Sequence, residues 1–374
     1  MVPVILYKLA KPNNKGISKV SVWSCWSEGD NVVSLSGYED GKKKEFRYTA
    51  KATNVGRSNE RTPTEQAAEE VLTSYVSQRD NKHYRTTVEA AREHLESCKV
   101  PMKLSNFKDH GSKINYPCYV QKKFNGSRLT VIDGDFISKA GRIEDFKVGH
   151  IKRSVWRLGI DFDSEVYRHG LSLQEIQSAR LLNGSDTRLL RLVIFDIPLR
   201  NTPFSERAKL LRYLRDRVKE EGHCHIDVEV PTLVNNREEL IEFYDNSLLG
   251  GYEGIVARNL DGIFEFGYRT YDTQKLKPRF DAEALVESVT KDKNGNGKLH
   301  VVSSDKLGNV RFKCMMKVKR RDGNEYPRDF DTMSKLIGSW ITFSYEELSN
   351  SGIPTKPVGE DERPCNDKGE PLLH

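Results

Sequence analysis

Apolar and polar residues alternate along Val20-Ser21-Val22-Trp23-Ser24 and Asn31-Val32-Val33-Ser34-Leu35, the two-residue period of strands with one buried face. Gly41-Lys42-Lys43-Lys44 then reads as a basic turn. At Thr62 the period lengthens. Thr62 stands as a cap, Pro63 takes the first helical position and Glu65 lies three residues after the cap, which predicts a helix start. Ala68, Val71, Leu72, Tyr75 and Val76 recur at helical spacing and predict its buried face. Thr86 with Glu89 predicts a second helix opened in the same way. Together these elements predict a small α+β module over residues 1–98. From about Pro101 to Pro278 short strands are separated by helices. Leu192–Ile197 reads as a buried strand, Ser205 as the cap of a helix carrying Leu210, Leu211, Leu214 and Val218, and Gly254–Arg258 as another strand. The remainder predicts strands around Ala284–Val289, Leu299–Val302, Val310–Val318 and Ile341–Tyr345. Turns at Asn294-Gly295-Asn296-Gly297 and Arg321-Asp322-Gly323-Asn324 divide them, a spacing that suggests a small barrel. After Pro354 the chain is rich in proline, glycine and charge and is expected to be mobile or ordered only by a ligand. The pattern divides the chain at 1–98, 99–279 and 280–374.

Composition narrows the class only a little. With 374 residues each of these units is long enough to bury a core. The formal charge of +6 suits a polyanionic partner without demanding one. Cys25, Cys98, Cys118, Cys224, Cys314 and Cys365 are scattered with no C-x-x-C pair, as expected of free thiols in a reducing compartment. No apolar run approaches membrane-spanning length and the N-terminal run is too short for a signal peptide, so the expectation is a cytoplasmic protein (host cytoplasm, were it viral). His223-Cys224-His225 looks like a metal fragment, but no further ligand accompanies it and a structural role is expected.

The most informative segment is Lys123-Phe124-Asn125-Gly126-Ser127-Arg128, which fits K-x-(D/N)-G-x-R, a pattern in which lysine becomes covalently loaded with a nucleotide. Apolar residues alternate on both sides, which predicts a tight connection between two strands with Gly126 at the turn. Alone the hexapeptide is weak. Ser138-Lys139-Ala140-Gly141, then Asp163-Ser164-Glu165, Phe195-Asp196, Glu253-Gly254-Ile255-Val256 and Lys275-Leu276-Lys277 follow it in order.

This series resembles the motifs of ATP-dependent DNA ligases, within the covalent nucleotidyltransferase superfamily that includes RNA ligases and capping enzymes, and is most similar to the compact ligases of bacteriophage type. The resemblance implies an α+β multidomain fold. An ATP-grasp-like nucleotidyltransferase (adenylation) domain would be followed by a C-terminal OB-fold β-barrel and preceded by the small α+β module. It implies ATP and Mg²⁺ (or Mn²⁺) as cofactors. Lys123 would be the nucleophile, with Lys275 and Lys277 helping to remove its proton and to neutralise the transferring phosphate. Glu253 and Glu165 would be the metal residues, and Glu165 would also hold the ribose hydroxyl. Phe195 would stack on adenine, Gln121 would read its edge and Arg128 would contact ribose or the nick phosphate. Ser344–Leu348, Gly352–Pro357 and Arg363 resemble the closing motif of the barrel, in which Arg363 would orient pyrophosphate. Ser138, Lys139, Arg142, Lys317 and Lys319 are the expected nucleic-acid contacts, joined by Arg320 and Arg321. Thr53-Asn54-Val55-Gly56-Arg57 and the helix after it resemble WGR-type nucleic-acid-binding modules, so residues 1–98 are expected to be an accessory DNA-binding unit, with Lys42-Lys43-Lys44 as one contact.

The chain departs from the family pattern in several places. Asn125 stands where aspartate is more usual, Lys139 where many relatives have arginine, and Ser164 in place of glycine; Lys368 follows Arg363 only at a distance. Replacement of Asn125 by aspartate is therefore expected to preserve adenylation. The implied activity is sealing of 3′-hydroxyl/5′-phosphate nicks in duplex DNA by a monomer, of the kind used in replication, repair and recombination. The alternatives are an RNA or RNA/DNA-hybrid end-joining ligase, a capping guanylyltransferase, and a non-catalytic nick-binding protein.

Overall fold

The structure, a computed structural model, describes residues 2–10, 18–182, 185–292, 295–318 and 327–364. Strands β1 (Val4–Leu9), β2 (Val20–Glu28), β3 (Asn31–Tyr38) and β4 (Lys44–Thr49) form an antiparallel meander in that spatial order. Helices α1 (Pro63–Asp80) and α2 (Val88–Glu96) pack on it over Leu6, Trp23, Val32, Ala67 and Val71. Thr62 and Glu65 make the expected reciprocal cap. The buried face of α1 differs from expectation: Ala67 and Val71 are covered, whereas Leu72 and Val76 are exposed. Helical periodicity fixes the spacing of a face, and its rotation is set here by the sheet below. The cap of α2 is Thr87, whose hydroxyl accepts from the Ala90 N–H, not Thr86.

The central part consists of two five-stranded sheets facing one another. Its elements in chain order are β5 (Lys103–Asn106), α3 (Phe107–His110), β6 (Cys118–Lys123), β7 (Ser127–Ile132), β8 (Asp135–Ser138), α4 (Gly149–Leu158) and β9 (Phe162–Tyr167). Next come α5 (Leu173–Leu182), β10 (Arg191–Asp196), α6 (Phe204–Glu220), β11 (Ile226–Val228), β12 (Thr232–Val234), α7 (Arg237–Leu249), β13 (Gly254–Asn259) and β14 (Arg269–Leu276). One sheet has the order β11-β10-β9-β7-β8 and the other β12-β6-β13-β14-β5. Helices α4, α5 and α6 cover the first through Ile151, Val155, Ile176, Ala208, Leu211 and Leu214; α7 covers the second through Leu240. Pro203, not Ser205, takes the cap position of α6, and Leu210 is exposed where burial was expected.

The connection that carries the nucleophile candidate is not a hairpin. β6 pairs with β12 and β13, and β7 with β8 and β9, so the chain crosses from one sheet to the other between Lys123 and Ser127. Gly126 makes the crossing possible: a Cβ there would lie 2.4 Å from the Val166 carbonyl oxygen and 2.7 Å from Glu165 Cγ. Gly254 is as constrained, with φ +147° and a Cβ position 2.2 Å from the Leu276 carbonyl oxygen.

A closed five-stranded barrel follows: β15 (Phe280–Lys291), β16 (Gly297–Ser303), β17 (Arg311–Met316), then helix α8 (Phe330–Ser334), β18 (Trp340–Tyr345) and β19 (Val358–Arg363). Ala284, Val286, Leu299, Val301, Phe312, Ile341 and Phe343 fill it. β19 corrects the expectation of a mobile tail. It pairs with β17 and β18, and three of its charged residues meet partners: Glu360 and Asp361 pair with Lys317, and Arg363 with Glu283. No helix among the described residues is long and apolar enough to cross a membrane.

Candidate active site

The two central sheets meet in a cleft lined by the strands already singled out. On one wall Gln121, Val256 and Lys275 lie side by side across β6, β13 and β14, with Lys123 at the end of β6 opposite Gly254. On the other wall Arg128, Glu165 and Val193 lie side by side across β7, β9 and β10. Half-buried Phe195 faces the same side, with the Arg128 guanidinium 5.9 Å from its ring centre.

At the mouth of the cleft charges alternate. Lys123 Nζ donates to Glu253 Oε2, Lys277 Nζ donates to Glu253 Oε1 at 3.3 Å, and Lys277 also donates to Glu346 at 2.5 Å. Lys356 donates to the same Glu346 oxygen at 2.5 Å. Burial pushes the Glu253 carboxyl up, but Lys123 and Lys277 outweigh it and hold it below the usual carboxylate range. Glu346 is drawn further, to about 2, since burial is overcome by the hydrogen bonds and charges of Lys277 and Lys356. Glu165 shifts the other way, to about 7. Burial raises it more than Lys123 and Arg128 lower it, and Glu253 and Asp163 add like-charge repulsion. Burial depresses the Lys275 ammonium, helped by Lys277 and Lys123; burial likewise depresses Lys139, helped by Lys123 and Lys356. Lys123, Lys139, Lys275, Lys277 and Lys356 thus share one neighbourhood, a concentration of cations fit for polyphosphate. Glu165 and Glu253 supply two hard oxygen donors facing the same space, a set suited to Mg²⁺ when substrate phosphates complete the shell. The described residues hold no cluster of three or more His, Cys, Asp or Glu placed to bind a metal by themselves.

Several expected contacts are otherwise engaged. Gln121 is buried, and its amide is fully committed: Nε2 donates to the Phe195 and Glu229 carbonyls at 2.9 Å each, and Oε1 accepts from Arg258 Nε at 2.9 Å. It offers no free edge to a base and instead ties the two walls together. Arg128 forms a bidentate pair with Asp163, at 3.0 Å and 2.5 Å, and donates to the Met102 carbonyl at 2.6 Å, so it builds a wall of the cleft. Arg363 lies on β19 beside Glu283, and Lys356 is the C-terminal cation that enters the site. Lys317 is paired with Glu360 and Asp361 rather than presented as a free cation. The Ser138 hydroxyl is used within its own turn, accepting from the Arg142 N–H at 3.2 Å, while Arg142 is exposed and Lys139 reaches solvent although its ammonium is partly desolvated against the cleft. Lys319, Arg320 and Arg321 lie outside the described residues. His223 bonds Glu221 at 2.9 Å and His225 meets His150 edge-on, and among the described residues no group of three or more His, Cys, Asp or Glu is placed there to hold a metal.

Sequence reasoning missed the buried girder beneath the cleft. Asp196, next to Phe195, accepts from Arg207 Nε at 2.8 Å and from Arg258 Nη1 at 2.6 Å, with all three side chains at most 3% exposed. The signal was an acid following an aromatic on a buried strand and an arginine ending Gly254-Ile255-Val256-Ala257-Arg258. Glu346 was within the closing segment but was not singled out.

Parts of this chain match known proteins. Residues 161–277, which carry Glu165, Phe195, Glu253, Lys275 and Lys277, match the ATP dependent DNA ligase domain. A DNA ligase of African swine fever virus is 26% identical over 336 residues, covering 80% of this chain and 75% of its own. The DNA ligase of Methanocaldococcus jannaschii is 30% identical over 156 residues, covering 37% of this chain and 26% of its own. A solved Lig E DNA ligase superposes on 70% of this chain and 99% of its own, with a TM-score of 0.56 at 20% identity, a likeness of fold. The matched residues supply β9 and β10 of one wall and β13 and β14 of the other, so the chain carries a stretch similar to the ATP dependent DNA ligase domain and resembles viral DNA ligases over most of its length.

Proposed function

We propose that the protein seals nicks in duplex DNA by three successive transfers at the mouth of this cleft. The observation that carries the reading is Lys123 at the sheet crossing, beside Glu253 and within a cluster of lysines. The Lys123 nitrogen, once its pair with Glu253 opens and its proton leaves, attacks the α-phosphorus of ATP. A P–N bond forms, the α–β bridging P–O bond breaks, and pyrophosphate departs. A 5′-phosphate oxygen at the nick then takes the AMP, releasing Lys123. The 3′-hydroxyl attacks that phosphate, loses its proton and displaces AMP. Covalent catalysis divides one hard condensation into easier steps. Lys275 and Lys277 stabilise the charge that builds on the transferring phosphate. Phe195 supplies a stacking face for adenine and Glu165 accepts from the ribose hydroxyl. Glu165 and Glu253 would hold Mg²⁺, which neutralises phosphate charge when bound. Exposed Lys139 and Arg142 face the strand being joined. The buried free thiols of Cys25, Cys98, Cys118 and Cys314 suit a reducing cytoplasm.

The test is sealing of a 5′-labelled nicked duplex with ATP and Mg²⁺, using nicks with DNA on both sides and nicks with RNA on either side. Faster closure of the all-DNA nick is expected; preference for an RNA end would replace this reading with an RNA-joining one. Glu165 adds a pH signature. Its carboxyl, raised to about 7, gains a proton below that pH and loses the charge that favours Mg²⁺-nucleotide. The apparent KM for ATP in adenylation should therefore rise as pH falls from about 8 to about 6. In Glu165→Gln it should be high throughout and nearly flat over the same range.

A further inference from the structure

The turn that carries Lys123 is also where the barrel rests. Asn125 Nδ2 donates to Glu347 Oε2 at 3.2 Å, joining positions 222 residues apart. Glu347 adjoins Glu346, which gathers Lys277 and Lys356. The loop beyond them is closed by its own backbone: Glu346 N–H donates to the Thr355 carbonyl at 3.2 Å and Thr355 N–H to the Glu347 carbonyl at 2.8 Å. A further hydrogen bond runs from the Asn350 N–H to Gln174 Oε1 at 3.5 Å. The barrel thus touches the nucleotidyltransferase unit at the nucleophile's turn, at the Lys277 ammonium and at α5.

A carboxylate at position 347 restricts what position 125 can be. Aspartate there would meet Glu347 as a like charge, whereas the asparagine amide donates to it. We propose that Asn125 and Glu347 are matched positioning residues that dock the barrel for lysine adenylation, the amide at 125 being complementary to the carboxylate opposite it. Docking brings Lys356 beside Lys277, and Glu346 holds the two ammonium groups together until a polyphosphate takes its place. The role in adenylation rests on the ligase reading; docking itself does not. This reverses the expectation that Asn125→Asp would leave adenylation unchanged.

The test compares wild type, Asn125→Asp, Glu347→Gln and the double variant in two measurements: small-angle scattering of the nucleotide-free protein, and single-turnover adenylation of Lys123 across ATP concentrations. Asn125→Asp should enlarge the radius of gyration and raise the KM for ATP by about three- to tenfold, with a smaller fall in maximal rate. That size fits an exposed hydrogen bond replaced by a like-charge repulsion. Glu347→Gln alone should stay near wild type, because its amide oxygen still accepts from Asn125. The double variant should recover both readouts, since the glutamine amide donates to the aspartate. An Asn125→Asp protein that matches wild type in both measurements would overturn the proposal, as would a double variant no better than the single. Should wild type form no adduct at all, the ligase reading fails while scattering still decides the docking pair.

Discussion

Lys123→Ala is expected to take up no label from α-labelled ATP, with adduct below about one part in 10⁴ of wild type. The residue's position explains the size of the effect. Lys123 is the last residue of β6, held at the sheet crossing by Gly126 and opposite Gly254, so no neighbouring lysine can be swung into its place. Lys122 points the other way, towards Glu229 and the face of Tyr252. Lys275 and Lys277 sit on or just beyond β14, across β13 from the nucleophile's strand. Lys123→Arg should fail as completely, since a guanidinium keeps the charge but does not lose its proton at neutral pH. The variants should still seal a nick already carrying AMP on its 5′-phosphate, because that last step needs the 3′-hydroxyl rather than the lysine. An acid-labile adduct that survives Lys123→Ala would sink the assignment of the nucleophile.

Asp196→Ala is expected to cost the protein about 3–5 kcal/mol of stability, because it leaves two guanidinium groups buried without a counter-charge. Arg207 and Arg258 are 1% and 3% exposed and cannot reach water without opening α6 or β13. For a unit of this size the midpoint of thermal unfolding should fall by about 10 °C. Burial alone would push the Asp196 carboxyl up, yet Arg258 and Arg207 hold it below its ordinary value. The sign follows from that depression. The stabilisation is complete above the ordinary aspartate value of about 4 and is lost as pH falls through the depressed one. Asp196→Asn keeps part of the hydrogen bonding and should lose less. Arg258→Met should be milder in stability, but it frees Gln121 Oε1 from its partner and loosens the link between the two walls. Thermal melts of the four proteins at neutral pH would rank them; an Asp196→Ala midpoint equal to wild type would show the network to be energetically idle.

Much of this was legible in the chain. Lys123, Glu253, Lys275 and Lys277 could be grouped because their segments follow one another in the order of the ATP-dependent DNA ligase motifs that the series resembles. The α1 cap was legible because capping is local chemistry within four residues. What alternation does not carry is the identity of a strand's neighbour. β6 and β7 therefore read only as two strands joined by a tight turn, and that each pairs in a different sheet stayed hidden. The same limit hid the fate of Gln121 and Arg128. Their types suit ligand recognition, but their partners, Arg258 and Asp163, are brought in by tertiary pairing from 137 and 35 residues away. β19 escaped notice for a different reason. Gly359 packs against Met316 where any Cβ would clash at 2.3 Å, and Glu360, Asp361 and Arg363 are satisfied by ion pairs or hydrogen bonds. A strand held by charge and close backbone approach leaves no apolar period to read.

That last strand also sets an order of events in the cell. β19 fills the gap between β17 and β18, so the barrel cannot close until Arg363 has left the ribosome. The two facing sheets are complete by Leu276, some way earlier in synthesis. The cleft between the sheets can therefore form while β17 and β18 still present open edges, the vulnerable interval for strand-to-strand aggregation. Lys317 and the acids of β19 meet only when that interval ends.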